Sequence, residues 1–146
     1  MTDGILNVVG DIIKSHSVRS APRERPRSLR FYYDTGSPVT FVKRSSARTL
    51  RNVTKLPVAE PFGGLGNGAF MATHLVLLEV RLLGYWCRHV AFVVDDDVLD
   101  RNYEVLAGHD FMQRYNIVPL PRRRDVKLDL TAIQLSQKLK SRIRAL

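Results

Sequence analysis

Residues 31–42 read Phe31-Tyr32-Tyr33-Asp34-Thr35-Gly36-Ser37-Pro38-Val39-Thr40-Phe41-Val42, an apolar run interrupted by a carboxylate. The aromatic and β-branched flanks predict two strands, with Gly36-Ser37-Pro38 as the turn between them. Asp34 would then stand at a strand end among hydrophobic neighbours, where desolvation of a carboxylate is costly. Proteins usually accept that cost where the carboxylate does chemistry. Asp34 is therefore a candidate catalytic residue, and a turn-forming aspartate is the structural alternative.

The composition predicts one globular domain. The chain has 146 residues, of which 45% are hydrophobic and 25% charged, the usual balance for a soluble protein with a real core. It carries 23 Lys and Arg against 14 Asp and Glu, a net charge of +9. The basic residues cluster at 19–30, 122–124 and 138–144. These clusters indicate either solubilising ends or a surface for nucleic acid or another anionic partner.

Several kinds of site are excluded by residue usage. The single Cys87 rules out an internal disulfide and a cysteine-based zinc cluster, and it predicts a packed thiol. The four histidines have no metal-ligand spacing, and we expect no cofactor. No apolar run reaches the roughly 18 residues of a membrane span, and no basic segment precedes the apolar residues 5–13. We therefore expect a cytoplasmic protein or a segment of a soluble polyprotein or particle.

The ends of the chain differ from its centre. Residues 1–14 allow a short amphipathic helix or an edge strand, and residues 15–27 predict an extended, mobile arm. We therefore divide the chain into a basic, partly flexible arm at 1–27, a globular domain at 28–130 and a tail at 131–146. The tail spaces its apolar residues as a basic amphipathic helix does.

The centre predicts mainly strands. Residues 62–70 hold four glycines and one asparagine between two phenylalanines, which indicates a hairpin tip. A phosphate-binding loop is the rival interpretation, but no Gly-Lys-Ser/Thr sequence follows. A long antiparallel hairpin is predicted from 71–83 and 85–94, and three aspartates at 95–97 indicate a solvated turn rather than a cation site. Further predicted elements are a helix at 43–52, a buried strand at 103–108, a short helix at 109–115, and strands at 116–120 and 126–130.

Three of these stretches, in this order, resemble the retropepsin-like aspartic proteases. Tyr32–Ser37 is similar to that family's hydrophobic-hydrophobic-Asp-Thr/Ser-Gly-Ala/Ser signature, and Phe62–Phe70 to its glycine-rich flap. Val105–Met112 resembles its hydrophobic-hydrophobic-Gly segment and the short helix that follows, although Ala107 stands where a larger apolar residue is common. The resemblance spans residues 28–130. It implies an all-β fold: a single retropepsin-like lobe with a closed, barrel-like sheet, a flap hairpin and one short helix, paired as a two-fold homodimer.

The resemblance also implies an activity and a role for each matched residue. The chain would be an aspartic endopeptidase that needs a homodimer, because it holds one Asp-Thr-Gly, and its substrate would be a peptide or protein, its own precursor included. Asp34 would be catalytic, Thr35 would lock the two loops together, and Gly36 would close the turn and bind the carboxylate. Ser37 would hydrogen-bond beside Asp34. The flap positions would be Gly63, Gly64, Leu65, Gly66, Asn67 and Gly68, and the structural residues near the site would be Leu106, Ala107 and Gly108. The candidates for lining side-chain pockets are Val39, Leu65, Phe70 and Leu106.

A second interpretation comes from the basic ends. A catalytically silent module of the same fold could use them for dimerisation or for binding nucleic acid. The intact Asp-Thr-Gly sequence favours the protease, and the charge of +9 favours the silent module.

Overall fold

The chain builds a closed β-sheet. The computed structural model describes residues 11–65 and 68–145. Within them the strands are β1 (Ile13–Arg19), β2 (Arg27–Tyr33), β3 (Phe41–Lys43), β4 (Val53–Leu65), β5 (Gly68–Leu82), β6 (Tyr85–Val94), β7 (Val105–Ala107), β8 (Val118–Leu120) and β9 (Asp125–Lys127). The α-helices of the same part are α1 (Arg44–Ala47), α2 (His109–Arg114) and α3 (Leu130–Ala145). The prediction of a β-rich lobe with a short helix after the buried strand is confirmed.

The order of the strands explains how residues far apart in sequence meet. The main sheet runs β1-β2-β7-β3-β6-β5-β4, and an additional β1–β5 pairing closes it into a barrel with β4 outside the ring. Strand β7 is parallel to β2 and antiparallel to β3. The two strands that flank Asp34 therefore do not pair with each other, because β7 lies between them. The short strands β8 and β9 form a separate sheet.

The barrel interior is filled by inward-facing side chains of its strands and of helix α2. The largest fully buried side chains include Phe31, Phe111 and Tyr115, and burying a side chain of this size contributes roughly 1.5–3 kcal/mol. Cys87 is 0% exposed, which confirms the packed thiol. Glu79 is also buried, but its carboxylate accepts hydrogen bonds from Arg19 at 2.7 Å and from Arg88 at 3.1 Å. These partners offset the cost of desolvating the charge.

The prediction of an extended, mobile arm at residues 15–27 is wrong for its first part. Strand β1 pairs with β2 over six residue pairs and with β5 at Val18 and Arg19. Val18 is fully buried, and the Nε2 atom of His16 lies 2.7 Å from the Tyr33 hydroxyl. The exposed Ser15 and Ser17 alternate with His16 and Val18, whose side chains face inward. The segment therefore has the two-residue period of a strand, but its mostly polar composition concealed that period in the sequence. The predicted helix or edge strand at 1–14 falls mostly outside the described residues.

The tail is a helix, as predicted, and it docks on the barrel. Ile133 is 0% exposed, and the Gln137 amide donates to the Trp86 carbonyl at 3.0 Å. The predicted strand at 126–130 is too long, because β9 ends at Lys127 and Asp129 caps α3 by accepting the Ala132 N–H at 3.1 Å. None of the helices in the described part is both long and apolar enough to cross a membrane.

The hairpin of β4 and β5 extends beyond the barrel. From His74 onward β5 pairs with β6, whereas Gly68–Ala72 pair with β4. The β4–β5 register shifts between Lys55↔His74 and Glu60↔Ala72, so residues 56–59 stand opposite Thr73 as a bulge. The bulge lies where the hairpin leaves the barrel. The predicted long hairpin of β5 and β6 is confirmed over the nine pairs from His74↔Val93 to Leu82↔Tyr85.

Candidate active site

Asp34 follows the last residue of β2 and is held by the neighbouring strand. Its N–H donates to the Ala107 carbonyl at 3.0 Å, which continues the parallel pairing of β2 with β7. The side chain is half-buried. The buried β7, predicted from the run 103–108, therefore fixes the backbone of the candidate catalytic residue.

The turn after Asp34 binds its carboxylate. The Gly36 N–H donates to Oδ1 of Asp34 at 2.9 Å, and a Cβ atom on Gly36 would lie 3.2 Å from that oxygen. The Ser37 N–H donates to the Asp34 carbonyl at 3.2 Å. The Ser37 hydroxyl donates to the Val39 carbonyl at 2.8 Å, so the expectation that it bonds beside the Asp34 carboxylate is wrong in this chain. Thr35 is exposed.

Gly108 lets the start of α2 pack against this turn. A Cβ atom there would stand 2.2 Å from the Val39 carbonyl oxygen and 2.9 Å from that of Ser37, distances that no side chain tolerates. The next two residues donate to the same turn, His109 N–H to Ser37 at 2.7 Å and Asp110 N–H to Pro38 at 3.3 Å. The glycine is required by close backbone approach rather than by an unusual φ.

A buried polar network lies behind the turn. The Thr40 hydroxyl donates to Asp110 at 2.7 Å and accepts the Gly108 N–H at 3.1 Å. The other Asp110 oxygen lies 2.8 Å from Nε2 of His89 on β6. Burial would raise the pKa of Asp110, but the hydrogen bonds from His89 and Thr40 lower it below its ordinary value. Asp110 is therefore an anion that joins α2, β6 and the Asp34 turn.

The hairpin covers a cavity beside Asp34. This cavity of about 280 Å³ is lined by Asp34, Gly36, Ser37, Pro38, Val39, Phe41, Phe62 and Gly63. Phe62 pairs with Phe70 across the hairpin, and both rings contact Phe41. Gly64 and Leu65 lie in β4 and Gly68 begins β5, which matches the predicted hairpin. Gly66 and Asn67, its predicted tip, lie outside the described residues.

An apolar cluster forms the floor of the site. Its buried members are Phe41, Val94, Leu99 and Leu106, and the partly exposed members packed on them include Tyr32, Val39, Phe62, Phe70 and Tyr103. The pocket candidates Val39, Phe70 and Leu106 thus share one cluster. Leu106 and Ala107 are almost fully buried, so the small Ala107 faces the core rather than the cavity.

Sequence reasoning missed Thr40, Phe41 and His89 as parts of the site. Thr40 and Phe41 belong to residues 31–42, where the sequence pattern predicts them only as strand residues. His89 stands 21 residues before Asp110, and it comes near α2 because β3 joins β6 to β7, the strand that precedes the helix. Among the described residues no three His, Cys, Asp or Glu side chains are grouped as metal ligands.

Comparison with solved structures identifies the fold. No protein-family model matches the chain, and no curated protein sequence matches it. The EIAV protease in complex with the inhibitor HBY-793 is similar in structure, with a TM-score of 0.50 and 15% identity over 69% of this chain and 84% of that one. The retroviral protease-like domain of Ddi1 from Leishmania major has a TM-score of 0.49 and 14% identity over 79% and 82% of the two chains. The chain has the retropepsin-like fold of a single protease lobe.

Proposed function

We propose that this chain is an aspartic endopeptidase that acts as a homodimer, each copy supplying one Asp34. The observation that carries the proposal is the position of the Asp34 carboxylate. It is half-buried, it accepts the Gly36 N–H at 2.9 Å, and it lines an apolar cavity together with Phe62 and Gly63 of the hairpin. A carboxylate placed in this way can meet a peptide that lies beneath the hairpin.

A second carboxylate is needed for the chemistry. Hydrolysis of a peptide bond requires one group to take a proton from water and another to polarise the carbonyl. Asp34 is the carboxylate that the described residues contribute to the cavity. A two-fold dimer places a second Asp34 opposite the first, because the same surface of both copies meets at the axis.

The two carboxylates divide the work by sharing one proton. Two carboxylates about 3 Å apart cannot both ionise easily, and they titrate as a pair. The ionised Asp34 takes a proton from water, whose oxygen attacks the scissile carbonyl carbon. The protonated Asp34 donates to the carbonyl oxygen and stabilises the tetrahedral intermediate. Transfer of a proton to the amide nitrogen then allows the C–N bond to break.

The neighbouring residues assist this reaction. The exposed Thr35 is suited to bond with the backbone of the partner copy's loop, which would hold the two Asp34 side chains together. The β4–β5 hairpin closes over the peptide, excludes water and bonds to its backbone. Phe41, Phe62 and Phe70 offer apolar contacts to the side chains of the substrate.

Digestion of a peptide library tests the proposal. The wild type, Asp34→Asn and a matched control, Asp97→Asn, are compared between about pH 4 and pH 7, and their molecular masses are measured by sedimentation. Asp97 is exposed in the turn after β6, so its substitution makes the same charge change outside the cavity. We expect Asp34→Asn to lower cleavage by about 10³-fold or more with the dimer intact. A folded, dimeric wild type that leaves the library uncut would refute the proposal.

The silent-module alternative is favoured by one surface feature. Arg122, Arg123 and Arg124 are consecutive and exposed, and the chain has a charge of +9. The alternative predicts binding to RNA or DNA that weakens steeply with salt. If no binding is detected at about 50 mM salt, where electrostatic affinity is strongest, the nucleic-acid-binding form of this alternative is refuted.

A further inference from the structure

The register of β1 and β2 places a second carboxylate across from Asp34. Ile13 pairs with Tyr32, and the Tyr33 N–H donates to the Ile12 carbonyl at 2.9 Å. Continued two residues beyond its last pair, this antiparallel register would bring Asp11 opposite Asp34. Residues that face each other in antiparallel strands project to the same side of the sheet, and so do residues two apart on one strand. Asp11, Tyr32 and Asp34 therefore share one face.

Two tyrosines stand on this face. The rings of Tyr32 and Tyr103 lie 4.9 Å apart, and both are partly exposed where they pack on the apolar floor of the site. Burial first, and then the charges of Asp34 and Asp11, raise the pKa of Tyr32 to about 12.

This face is negative although the protein is positive overall. Burial raises the pKa of Tyr103, a hydrogen bond with the backbone of Asp100 opposes that rise, and the charges of Asp100, Asp34 and Asp11 add to it. The nearby Arg30 and Glu104 bond to each other, so that pair adds no net charge. A carboxylate beside two aromatic faces is a favourable environment for a cationic side chain, which gains a charge-assisted hydrogen bond and a cation–π contact.

We propose that Asp11, Tyr32 and Tyr103 form a specificity wall that selects peptides carrying an arginine or lysine beside the scissile bond. The wall lies beside the scissile bond because Tyr32 precedes Asp34 by two residues along the same chain segment and Asp11 lies across from Asp34. The proposal rests on the protease activity proposed above. It deepens that activity by naming the substrate as a basic peptide, which a wall made only of apolar side chains would not favour.

Matched peptides test the wall. The best-cut library sequence is prepared with arginine or with norleucine at each of the two positions that flank the cleaved bond, and kcat/KM is measured for both versions. We expect the wild type to prefer arginine at one position by about tenfold, and Asp11→Asn to bring that ratio near one. Asp125→Asn is the control, since it removes a carboxylate on β9 whose exposed pair with Lys14 adds little stability. Equal rates for the two peptides with the wild type would overturn the proposal, even if Asp11→Asn does not fold.

A binding measurement separates this proposal from the catalytic one. Fluorescence anisotropy is recorded with Asp34→Asn and with Asp34→Asn carrying Asp11→Asn, using labelled mixed-sequence peptides that carry either a central arginine or a central norleucine. Tighter binding of the arginine peptide that depends on Asp11 supports the wall, even if the wild type cuts nothing and the protease proposal fails. Cleavage at equal rates with equal binding refutes the wall and leaves the protease proposal standing. Absence of both cleavage and binding refutes both.

Discussion

The hydroxyl of Thr40 donates to Oδ1 of Asp110 at 2.7 Å across 70 residues of sequence. The same hydroxyl oxygen accepts the N–H of Gly108, the residue before α2. One side chain therefore bonds both to the helix and to the residue that precedes it. Because Gly108 also contacts the carbonyls of Ser37 and Val39, this bond fixes how the helix sits against the Asp34 turn.

Removing that hydroxyl should cost more than removing the neighbouring methyl group. Thr40→Val keeps the shape but leaves the buried Gly108 N–H without a partner and Oδ1 of Asp110 with the Phe111 N–H alone, which costs about 2–3 kcal/mol. Thr40→Ser keeps the hydroxyl and loses one buried methyl, about 1 kcal/mol. Urea unfolding of both variants measures the difference, and a serine variant less stable than the valine variant would contradict this account.

Substitution by alanine should lower the stability strongly at one of two glycines near the site and hardly at all at the other. Gly108→Ala places a Cβ atom 2.2 Å from a backbone oxygen, so α2 must move away from the turn, at a cost of about 2–4 kcal/mol. Gly63→Ala is the matched control, because its Cβ atom would meet nothing within 4 Å. Thermal unfolding should show a large loss for the first variant and a change within about 0.5 kcal/mol for the second. Equal losses would contradict the steric account, because only Gly108 has a backbone oxygen in the way of a Cβ atom.

His16 should make the fold sensitive to mild acid. Burial lowers the pKa of His16 from 6.5 to about 4, with a smaller effect from the charge of Lys14. The unfolded chain therefore binds a proton that the folded chain does not, and stability falls as the pH drops from about 6.5 towards 4. The expected loss between pH 7 and pH 5 is about 2 kcal/mol.

A pair of glutamine variants isolates this effect. His16→Gln retains a polar partner for the Tyr33 hydroxyl and no longer titrates, so its stability should lose this part of the pH dependence. His109→Gln, at an exposed position, should keep the wild-type dependence. Urea midpoints at pH 5 and pH 7 for the three proteins give the comparison. A slope unchanged in His16→Gln would show that other groups cause the acid sensitivity.

The shared active site makes a prediction about mixtures. If each dimer needs two Asp34 carboxylates, a dimer of one wild-type and one Asp34→Asn chain is inactive. After subunit exchange at equal amounts, random pairing leaves a quarter of the dimers wild-type on both sides, so activity per wild-type chain falls to about half. Activity that stays constant per wild-type chain would mean that one Asp34 suffices. Asp97→Asn in place of Asp34→Asn is the control and should leave the activity unchanged.

The sequence predicted those features that depend on local pattern. The Asp34 turn, the glycine-rich hairpin and the helix after Gly108 each carry a distinctive residue order. Strand β1 was missed because serines on its exposed face and His16 on its buried face have similar polarity, so alternation was not visible. The bond of Ser37 was misassigned because its direction depends on the turn bringing the Val39 carbonyl within 2.8 Å.

Features that depend on strand register were beyond the sequence. His89 meets Asp110 only after β6 has joined β3 and β5, and Asp11 faces Asp34 only through the pairing of β1 with β2. A register changes every facing pair when it shifts by one residue, and no local pattern in those segments fixes it. The network behind the turn and the charged face beside it therefore required the folded chain.

The bulge at residues 56–59 separates two segments of strand β5 that differ in how many neighbouring strands hold them. His74–Val76 pair with both β6 and β4, and Glu79 and Val80 pair with both β6 and β1, whereas the pairing described for Gly68–Ala72 is with β4. Amide hydrogens in the outer segment should exchange with solvent orders of magnitude faster than those of Val76–Val80. Strand β5 therefore combines a firmly paired segment with a less firmly paired one, and Thr73 marks the boundary between them. Opening of the hairpin for a peptide would then stop at Thr73 and leave the pairing of the barrel strands intact.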